Sequence, residues 1–129
     1  MKFFRTFIAI VIGLFIGATV NMSLIKLGNF LFPITGTFEE FYISDDCTIY
    51  HFIFPFLAHA LGTLVGALIA ILISNDHKKI SSFIVGVFFL AGGISVNLMI
   101  SSPLWYSVVD IVLAYIPMSL LANKWMISK

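Results

Sequence analysis

Four long apolar stretches dominate the pattern of hydrophobic and polar positions along the chain. Each has about 20 residues that are almost free of charge, the length that a helix needs to cross the hydrocarbon core of a bilayer. They cover residues 7–25, 52–74, 81–101 and 104–122. The pattern predicts four transmembrane helices in a single domain.

The connections between these stretches differ in length. Residues 26–51 form a long acidic loop, residues 75–80 a short charged turn, and Ser102-Pro103 joins the last two stretches directly. Short joints force consecutive helices to run antiparallel. Pro55 also lies near a helix start, where its missing N–H is tolerated because the first turn offers no partner. We therefore predict an all-α, integral membrane four-helix bundle.

Composition strengthens this prediction. The chain is 60% hydrophobic and only 10% charged, with a mean hydropathy of +1.10, whereas soluble domains are roughly 25% charged. So few charges cannot cover a globule in water, but a chain embedded in lipid needs them only at its ends. A water-soluble fold is excluded, and the lipid bilayer is the first expected partner.

Charge and cysteine content narrow the chemistry. The net charge of +1 offers no basic surface for nucleic acid, and the single Cys47 cannot form an internal disulfide or a multi-cysteine metal site. We expect no cofactor, no metal and no nucleic-acid partner. The sequence does not identify a small-molecule ligand.

The distribution of Lys and Arg predicts the orientation, because the loops that retain them stay in the cytoplasm. Lys26 is the one basic residue in the acidic loop. The other six flank the opposite helix ends: Lys2, Arg5, Lys78, Lys79, Lys124 and Lys129. We predict a multi-pass protein of the cell (inner) membrane with both termini cytoplasmic and loop 26–51 outside. The alternative of a cleaved signal peptide is disfavoured because Gly17-Ala18-Thr19 is a poor cleavage site.

The two halves of the chain share a short pattern. A shift of 76 residues places Val20-Asn21 on Val96-Asn97, and a shift of 48 places Pro55 on Pro103. One interpretation is a duplication, with two helical hairpins related by an axis along the membrane normal, as in parallel-repeat transporters. The other is chance similarity between apolar helices. Both remain open.

Small residues recur at helical spacing in three of the four stretches. Helices in lipid associate where such residues let their backbones approach. The glycines on these ladders are Gly13, Gly17, Gly62, Gly66, Gly86 and Gly93. A single four-helix bundle does not require glycines on three of its helices in order to pack. Either its interior is therefore very tight, or one of the ladders contacts a second copy in a homo-oligomer.

Two ionisable side chains lie inside the apolar stretches, where such groups are expensive and are functional candidates by default. A rise of 1.5 Å per residue places His59 and Asp110 roughly 10 to 12 Å from the outer helix ends, and Asn21 and Asn97 roughly 6 to 8 Å. Each lies on the small or polar face of its helix, with Tyr106 one turn before Asp110. We expect these side chains to converge in the outer half of the membrane.

Two interpretations of this polar cluster remain. In the functional one, Asp110 and His59 face an outward-open cavity and relay protons or hold a ligand head group. In the structural one, Asp110 bonds His59 or Tyr106, and Asn21 bonds Asn97, which holds the helices together. The structural interpretation is slightly favoured, because interhelical hydrogen bonds need no special geometry. Ser107, His59 and Asp110 are the residue types of a hydrolytic triad, but no oxyanion hole can be identified from the sequence.

Pro117 falls deep inside the fourth stretch. It removes one backbone hydrogen bond, frees the carbonyl of Leu113, and is expected to bend the helix near Tyr115. Such a bend serves either as a gate or as a static kink.

One segment carries a family resemblance. Residues 54–67 read FPFLAHALGTLVGA, with Val20-Asn21-Met22 upstream and Pro103-Leu104-Trp105 and Tyr115-Ile116-Pro117 downstream. This pattern resembles a group of small four-span bacterial membrane proteins that lack an assigned function. The resemblance implies four spans and no substrate. Small multidrug exporters share the length and span number, but they would have a glutamate inside the first span, and this chain has none there.

These observations favour a non-enzymatic membrane protein, either a transporter-like carrier of a small solute or a scaffolding subunit, with the polar residues as its central site. The alternative is a membrane-embedded enzyme that acts on lipid. Matched hairpins favour a symmetric pathway over an asymmetric catalytic site.

Overall fold

The computed structural model describes residues 1–127, and these residues form helices without strands. The helices are α1 (Lys2–Leu31), α2 (Phe38–Tyr42), α3 (Tyr50–Ser74), α4 (Lys78–Met99), α5 (Leu104–Leu113) and α6 (Ile116–Ile127). Four stretches are long and apolar enough to cross a membrane, namely α1, α3, α4 and the combined α5 and α6. The predicted all-α, four-helix membrane architecture is confirmed.

The connection between α1 and α3 contains more structure than an open loop. α1 continues to Leu31, so its 30 residues extend about 45 Å, well beyond the ~30 Å hydrocarbon core. α2 begins with a capping box, in which Thr37 and Glu40 each bond the other's backbone N–H through their side chains. Phe41 on α2 is only 3% exposed. Phe41 and Tyr42 therefore pack on the end of the bundle away from the two termini, against His51 and Phe52 of α3.

Helix α3 lies at the centre of the bundle and contacts α1, α4, α5 and α6. Its closest neighbour is α1, because glycines face glycines along both helices. A β-carbon added at Gly13 would lie 2.5 Å from the carbonyl oxygen of Gly66, and one at Gly17 would lie 2.5 Å from that of Gly62. α1 and α3 are thus in direct backbone contact, as small-residue ladders in lipid predict.

The remaining two ladder glycines receive side chains instead of backbone. Gly86 faces the side chain of Ser119, and Gly93 faces the ring and hydroxyl of Tyr115. Each of the six predicted packing glycines therefore contacts a neighbouring helix of its own chain, which makes the interior tight. Association of two copies through these ladders remains a prediction.

The fourth span is broken rather than continuous. α5 ends at Leu113 and α6 begins at Ile116, so the break lies next to Tyr115, where Pro117 predicts it. Proline at this position cannot donate a backbone hydrogen bond to Leu113. Tyr115 is 1% exposed and lies inside the bundle.

Candidate functional site

Asp110 is the centre of a buried hydrogen-bond network. Its side chain is fully buried, and its two oxygens face three partners. His59 Nδ1 lies 2.7 Å from Oδ1, while Asn97 Nδ2 and the Tyr115 hydroxyl donate to Oδ2 at 3.3 and 3.0 Å. Hydrogen bonds to a carboxylate are among the stronger ones in proteins, and a buried charge requires them. The carboxylate thereby links α3, α4 and the break in the fourth span.

His59 connects this network to open space. Its ring stacks on Tyr115, with centroids 5.7 Å apart and planes inclined by 27°. Nδ1 faces Asp110, so the other ring nitrogen, Nε2, is available to the surroundings; it has no hydrogen-bond partner within residues 1–127. The side chain is 13% exposed, and that exposed part faces two cavities.

The first cavity, which we name the outer cavity, has a volume of about 120 Å³. It extends from α2, where Phe38 and Tyr42 line it, down to His59, Asn97 and Tyr106. It lies between the outer ends of the helices and the folded connection above them.

The second cavity, which we name the lateral cavity, has a volume of about 200 Å³. It lies beside α4 and is lined by Asn21, Gly92, Gly93, His59 and Tyr115. His59 lines both cavities, so a residue bonded to Asp110 borders two separate open spaces.

The amide of Asn97 is held by four contacts. Its Oδ1 accepts hydrogen bonds from the hydroxyls of Ser102 and Ser107, at 3.2 and 2.9 Å. Its Nδ2 donates to the Gly93 carbonyl at 2.9 Å as well as to Asp110. This arrangement determines which way the amide points, since donors face oxygen and acceptors face nitrogen. The same hydrogen bonds turn the hydroxyl of Ser107 toward Asn97. Within the described chain, no hydrogen bond joins Ser107 to His59. A hydrolytic triad of Ser107, His59 and Asp110 is therefore not formed.

The structure brings three of the five predicted site residues, His59, Asn97 and Asp110, into direct contact. Of the two hydrogen bonds suggested for Asp110, to His59 or to Tyr106, the one to His59 is present. Tyr106 is 6% exposed and lines the outer cavity, but its hydroxyl has no partner among residues 1–127. The suggested bond between Asp110 and Tyr106 is therefore absent from the described network.

Asn21 lies apart from the other predicted site residues. It lines the lateral cavity beside His59, and its side chain packs close to Gly62. The bond to Asn97 that the sequence suggested is not formed in the part of the chain that the structure describes. The reason is that the amide of Asn97 is already saturated by Asp110, Gly93 and the two serines.

Tyr115 and Ser102 belong to the site but did not emerge from the sequence. Tyr115 follows Asp110 by five residues, and in a regular helix such residues point about 140° apart, given 3.6 residues per turn. The break before α6 is what returns Tyr115 to Asp110. Pro117 was the available signal, because it predicted the break.

The outer end of the site is aromatic and acidic. Tyr42 stacks on Phe52 with ring centroids 5.3 Å apart, and Glu39 accepts a hydrogen bond from Ser101 at 2.8 Å, which ties α2 to the end of α4. Burial, with a smaller contribution from the charge of Cys47, raises the pKa of Tyr42; burial also raises the pKa of the Cys47 thiol. Within residues 1–127, no three His, Cys, Asp or Glu side chains are grouped as a metal site would require.

Comparison with protein-family models, with curated proteins and with solved structures gives no match to this chain. What the site can do therefore follows from its own atoms. It holds a buried carboxyl group with three hydrogen-bond partners, and one of these partners, His59, lines two cavities.

Proposed function

We propose that this protein is a small membrane carrier in which the pair of His59 and Asp110 takes up and releases protons and so carries them across the membrane, whether or not a solute is bound. One observation carries the proposal: His59 is bonded through Nδ1 to a fully buried carboxyl group, and the same residue lines two separate cavities. A purely structural hydrogen bond between helices would not need access from two sides.

The chemistry of the pair suits proton exchange. Histidine is the side chain whose charge ordinarily changes near neutral pH. When His59 carries a proton, it forms an ion pair with Asp110. When it loses that proton, Asn97 and Tyr115 still donate to the carboxylate. The carboxyl group of Asp110 thus keeps hydrogen-bond partners in both states of the imidazole.

The electrostatic surroundings of the pair are simple. Besides Asp110, the titratable side chains next to His59 are those of Tyr115, which stacks on it, and of Tyr42 and Tyr106, which share the outer cavity with it. No Lys or Arg of the described chain lines either cavity.

The proposed orientation places the outer cavity on the extracytoplasmic side of the cell membrane and both termini in the cytoplasm. The basic residues at one end of the bundle support it: Lys2 lies 3.7 Å from Asp76, and Arg5 donates to the Ile73 carbonyl at 2.6 Å, which brings the N-terminus next to the Lys78-Lys79 turn. Loops rich in Lys and Arg remain inside.

The break between α5 and α6 is proposed as the moving element. It lies immediately after Asp110, and Tyr115 within it both bonds Asp110 and stacks on His59. A change in the angle of this break would alter both contacts at once. Helix breaks at membrane depth are tolerated where they are buried in protein or line a cavity.

Proton flux through the purified protein tests the proposal. In liposomes with an internal pH-sensitive dye and valinomycin with K⁺ to balance charge, we expect the protein to speed acidification after an external pH drop. His59→Gln and Asp110→Asn are expected to slow this flux at least tenfold. The matched variants His51→Gln and Asp76→Asn, which change the same residue types outside the site, are expected to leave it unchanged.

The result of this flux assay also distinguishes a carrier from the alternative functions, a scaffolding protein and an enzyme that acts on lipid. Absence of protein-dependent flux, or equal flux in Asp110→Asn, would overturn the carrier and leave a structural or scaffolding role for the pair. An enzyme that attacked lipid with a serine would need that hydroxyl beside His59, and the hydroxyl of Ser107 is bonded to Asn97 instead.

A further inference from the structure

We propose that the lateral cavity binds an uncharged, lipid-soluble molecule with a hydroxyl group on an aromatic ring, which enters from the bilayer beside α4. The inference goes beyond the proposed carrier, because binding this molecule moves no proton, although both involve His59. It follows from two accessible polar groups that lack partners, from the exposure of the cavity on the lipid-facing surface and from its aromatic lining.

The first polar group is the side-chain amide of Asn21 on α1. Its neighbours Thr19 and Ser23 donate their hydroxyls to carbonyls four residues earlier, at 2.9 and 2.7 Å. Asn97, at the equivalent position under the 76-residue shift, is saturated. The amide of Asn21 has no partner within residues 1–127, and neither of its polar atoms is enclosed by protein. An unpaired amide is costly in hydrocarbon, so a ligand in the cavity that Asn21 lines would supply the missing bonds.

The second polar group is Nε2 of His59. Asp110 occupies Nδ1, whereas Nε2 has no partner in the described chain and is not enclosed by protein. With Nδ1–H directed at the carboxylate, Nε2 accepts a hydrogen bond when the imidazole is neutral and donates one when it is protonated. A hydroxyl both donates and accepts, so it can bond Nε2 in either state. The amide of Asn21 also donates and accepts, and a hydroxyl group therefore matches both residues.

The lateral cavity is exposed on the lipid-facing surface of α4. Gly92 lines it and is exposed, and a β-carbon added there would meet nothing within 4 Å. Phe88, one turn before Gly92, also lines it and is 60% exposed. Exposed residues within a membrane-spanning helix face lipid. A ligand therefore reaches this cavity from the bilayer.

The lining indicates an uncharged ring. Phe88, Phe89 and Tyr115 line the cavity, and aromatic rings pack well against one another in offset or edge-to-face arrangements. A cavity of about 150 Å³ holds a benzene ring, so the 200 Å³ here admits a substituted one. Of the described residues that line the cavity, none is Lys, Arg, Asp or Glu. An ion at membrane depth is costly without an opposite charge beside it, which favours a neutral ligand.

Three ligands that share a propylphenyl skeleton test the proposal. One carries a hydroxyl (para-propylphenol), one a methyl group of similar size (para-propyltoluene), and one a carboxylate that is anionic at pH 7 (para-propylbenzoate). Binding is measured by equilibrium dialysis of the protein in lipid nanodiscs, and protein-free nanodiscs correct for partition into lipid. We expect the phenol to bind about tenfold more tightly than the toluene, as one or two hydrogen bonds made away from water would give. The benzoate is expected to bind more weakly than either.

Variants then assign the binding to this cavity. Asn21→Leu keeps the size of the side chain but removes the amide, so it is expected to weaken the phenol about tenfold without affecting the toluene. The matched control Asn29→Leu changes the same residue type further along α1, where it lines the outer cavity, and is expected to leave both affinities unchanged. Gly92→Leu adds a side chain in the open space at the cavity and is expected to weaken both ligands.

Equal affinity for the phenol and the toluene would overturn the proposal, because water would then satisfy the two polar groups. Unchanged affinity for the phenol in both Asn21→Leu and Gly92→Leu would also overturn it, and weakening by Asn29→Leu alone would place the phenol in the outer cavity instead. Failure of this inference is distinguishable from failure of the carrier. Proton flux without selective phenol binding retains the carrier and rejects this ligand. Selective phenol binding without proton flux retains the site and rejects the carrier.

Discussion

The two helical hairpins of this protein are held together by different means. In the first, α1 and α3 meet through glycine backbones, Gly13 with Gly66 and Gly17 with Gly62. In the second, α4 packs against a broken span through a side-chain network around Asp110. The first hairpin is close-packed along its shared face, while the second contains the buried charge and the break.

One pair of equivalent positions shows the difference most clearly. Gly17 and Gly93 correspond under the 76-residue shift, and in both a β-carbon would collide with a neighbour. At Gly17 the neighbours include a backbone carbonyl, so the space admits another helix. At Gly93 the neighbour is the ring of Tyr115, so the space admits an aromatic side chain. The same small residue thus brings two helices together in one hairpin, and in the other it makes room for the aromatic side chain that bonds Asp110.

This comparison suggests a division of roles. Backbone contact over several turns leaves α1 and α3 little freedom to slide, whereas side-chain hydrogen bonds can exchange partners. We therefore expect changes in the first hairpin to affect folding, and changes in the second to affect hydrogen bonding and access.

The largest effect is expected from crowding the first hairpin. Gly17→Val adds a branched side chain where a β-carbon would already lie 2.5 Å from the Gly62 carbonyl oxygen, and backbone cannot move aside cheaply. We expect a loss of about 3 kcal/mol or more, the upper range for overpacking. Thermal unfolding in detergent measures it. The control is Gly92→Val, where an added β-carbon meets nothing within 4 Å; equal destabilisation of both variants would contradict the backbone-contact argument.

A smaller effect is expected from removing one hydroxyl in the second hairpin. Tyr115→Phe deletes a donor to the Asp110 carboxylate and should cost about 1.5 to 3 kcal/mol, the range for hydrogen bonds to charged groups. Tyr106→Phe makes the same chemical change at a similarly buried position, but its hydroxyl has no partner in the described chain. We expect that variant to be as stable as the parent or slightly more so. Thermal unfolding measures both variants. If Tyr106→Phe were less stable than Tyr115→Phe, the hydrogen bond to Asp110 would be assigned to the wrong tyrosine.

Single cysteine substitutions at valine positions are expected to change stability least. Their labelling tests most directly which positions water reaches. Val96 lines both cavities, whereas Val112 is 58% exposed but lines neither. In a Cys47→Ala background, a small water-soluble thiol reagent should modify Val96→Cys and leave Val112→Cys unmodified, because only the former thiol meets water. Equal labelling would show that the cavities are not distinct from the lipid-facing surface.

Much of the architecture could be predicted from the sequence, because it depends on local properties. The length of an apolar stretch determines whether a helix crosses lipid, so the four spans appear where hydropathy predicts them. A proline inside a helix removes a particular hydrogen bond, so the break near Tyr115 was also predictable. The depth of each polar residue follows from the rise per residue, which is why His59 and Asp110 were expected to meet.

Partnerships between helices were decided only by the tertiary structure. The sequence showed six glycines with ladder spacing, but the rotation of each helix and its register determine that four meet backbone while Gly86 and Gly93 receive side chains. The same rotations turn Asn97 toward Asp110 and leave Asn21 in the lateral cavity. These angles result from the packing of all the helices together, and no local pattern of residues contains them.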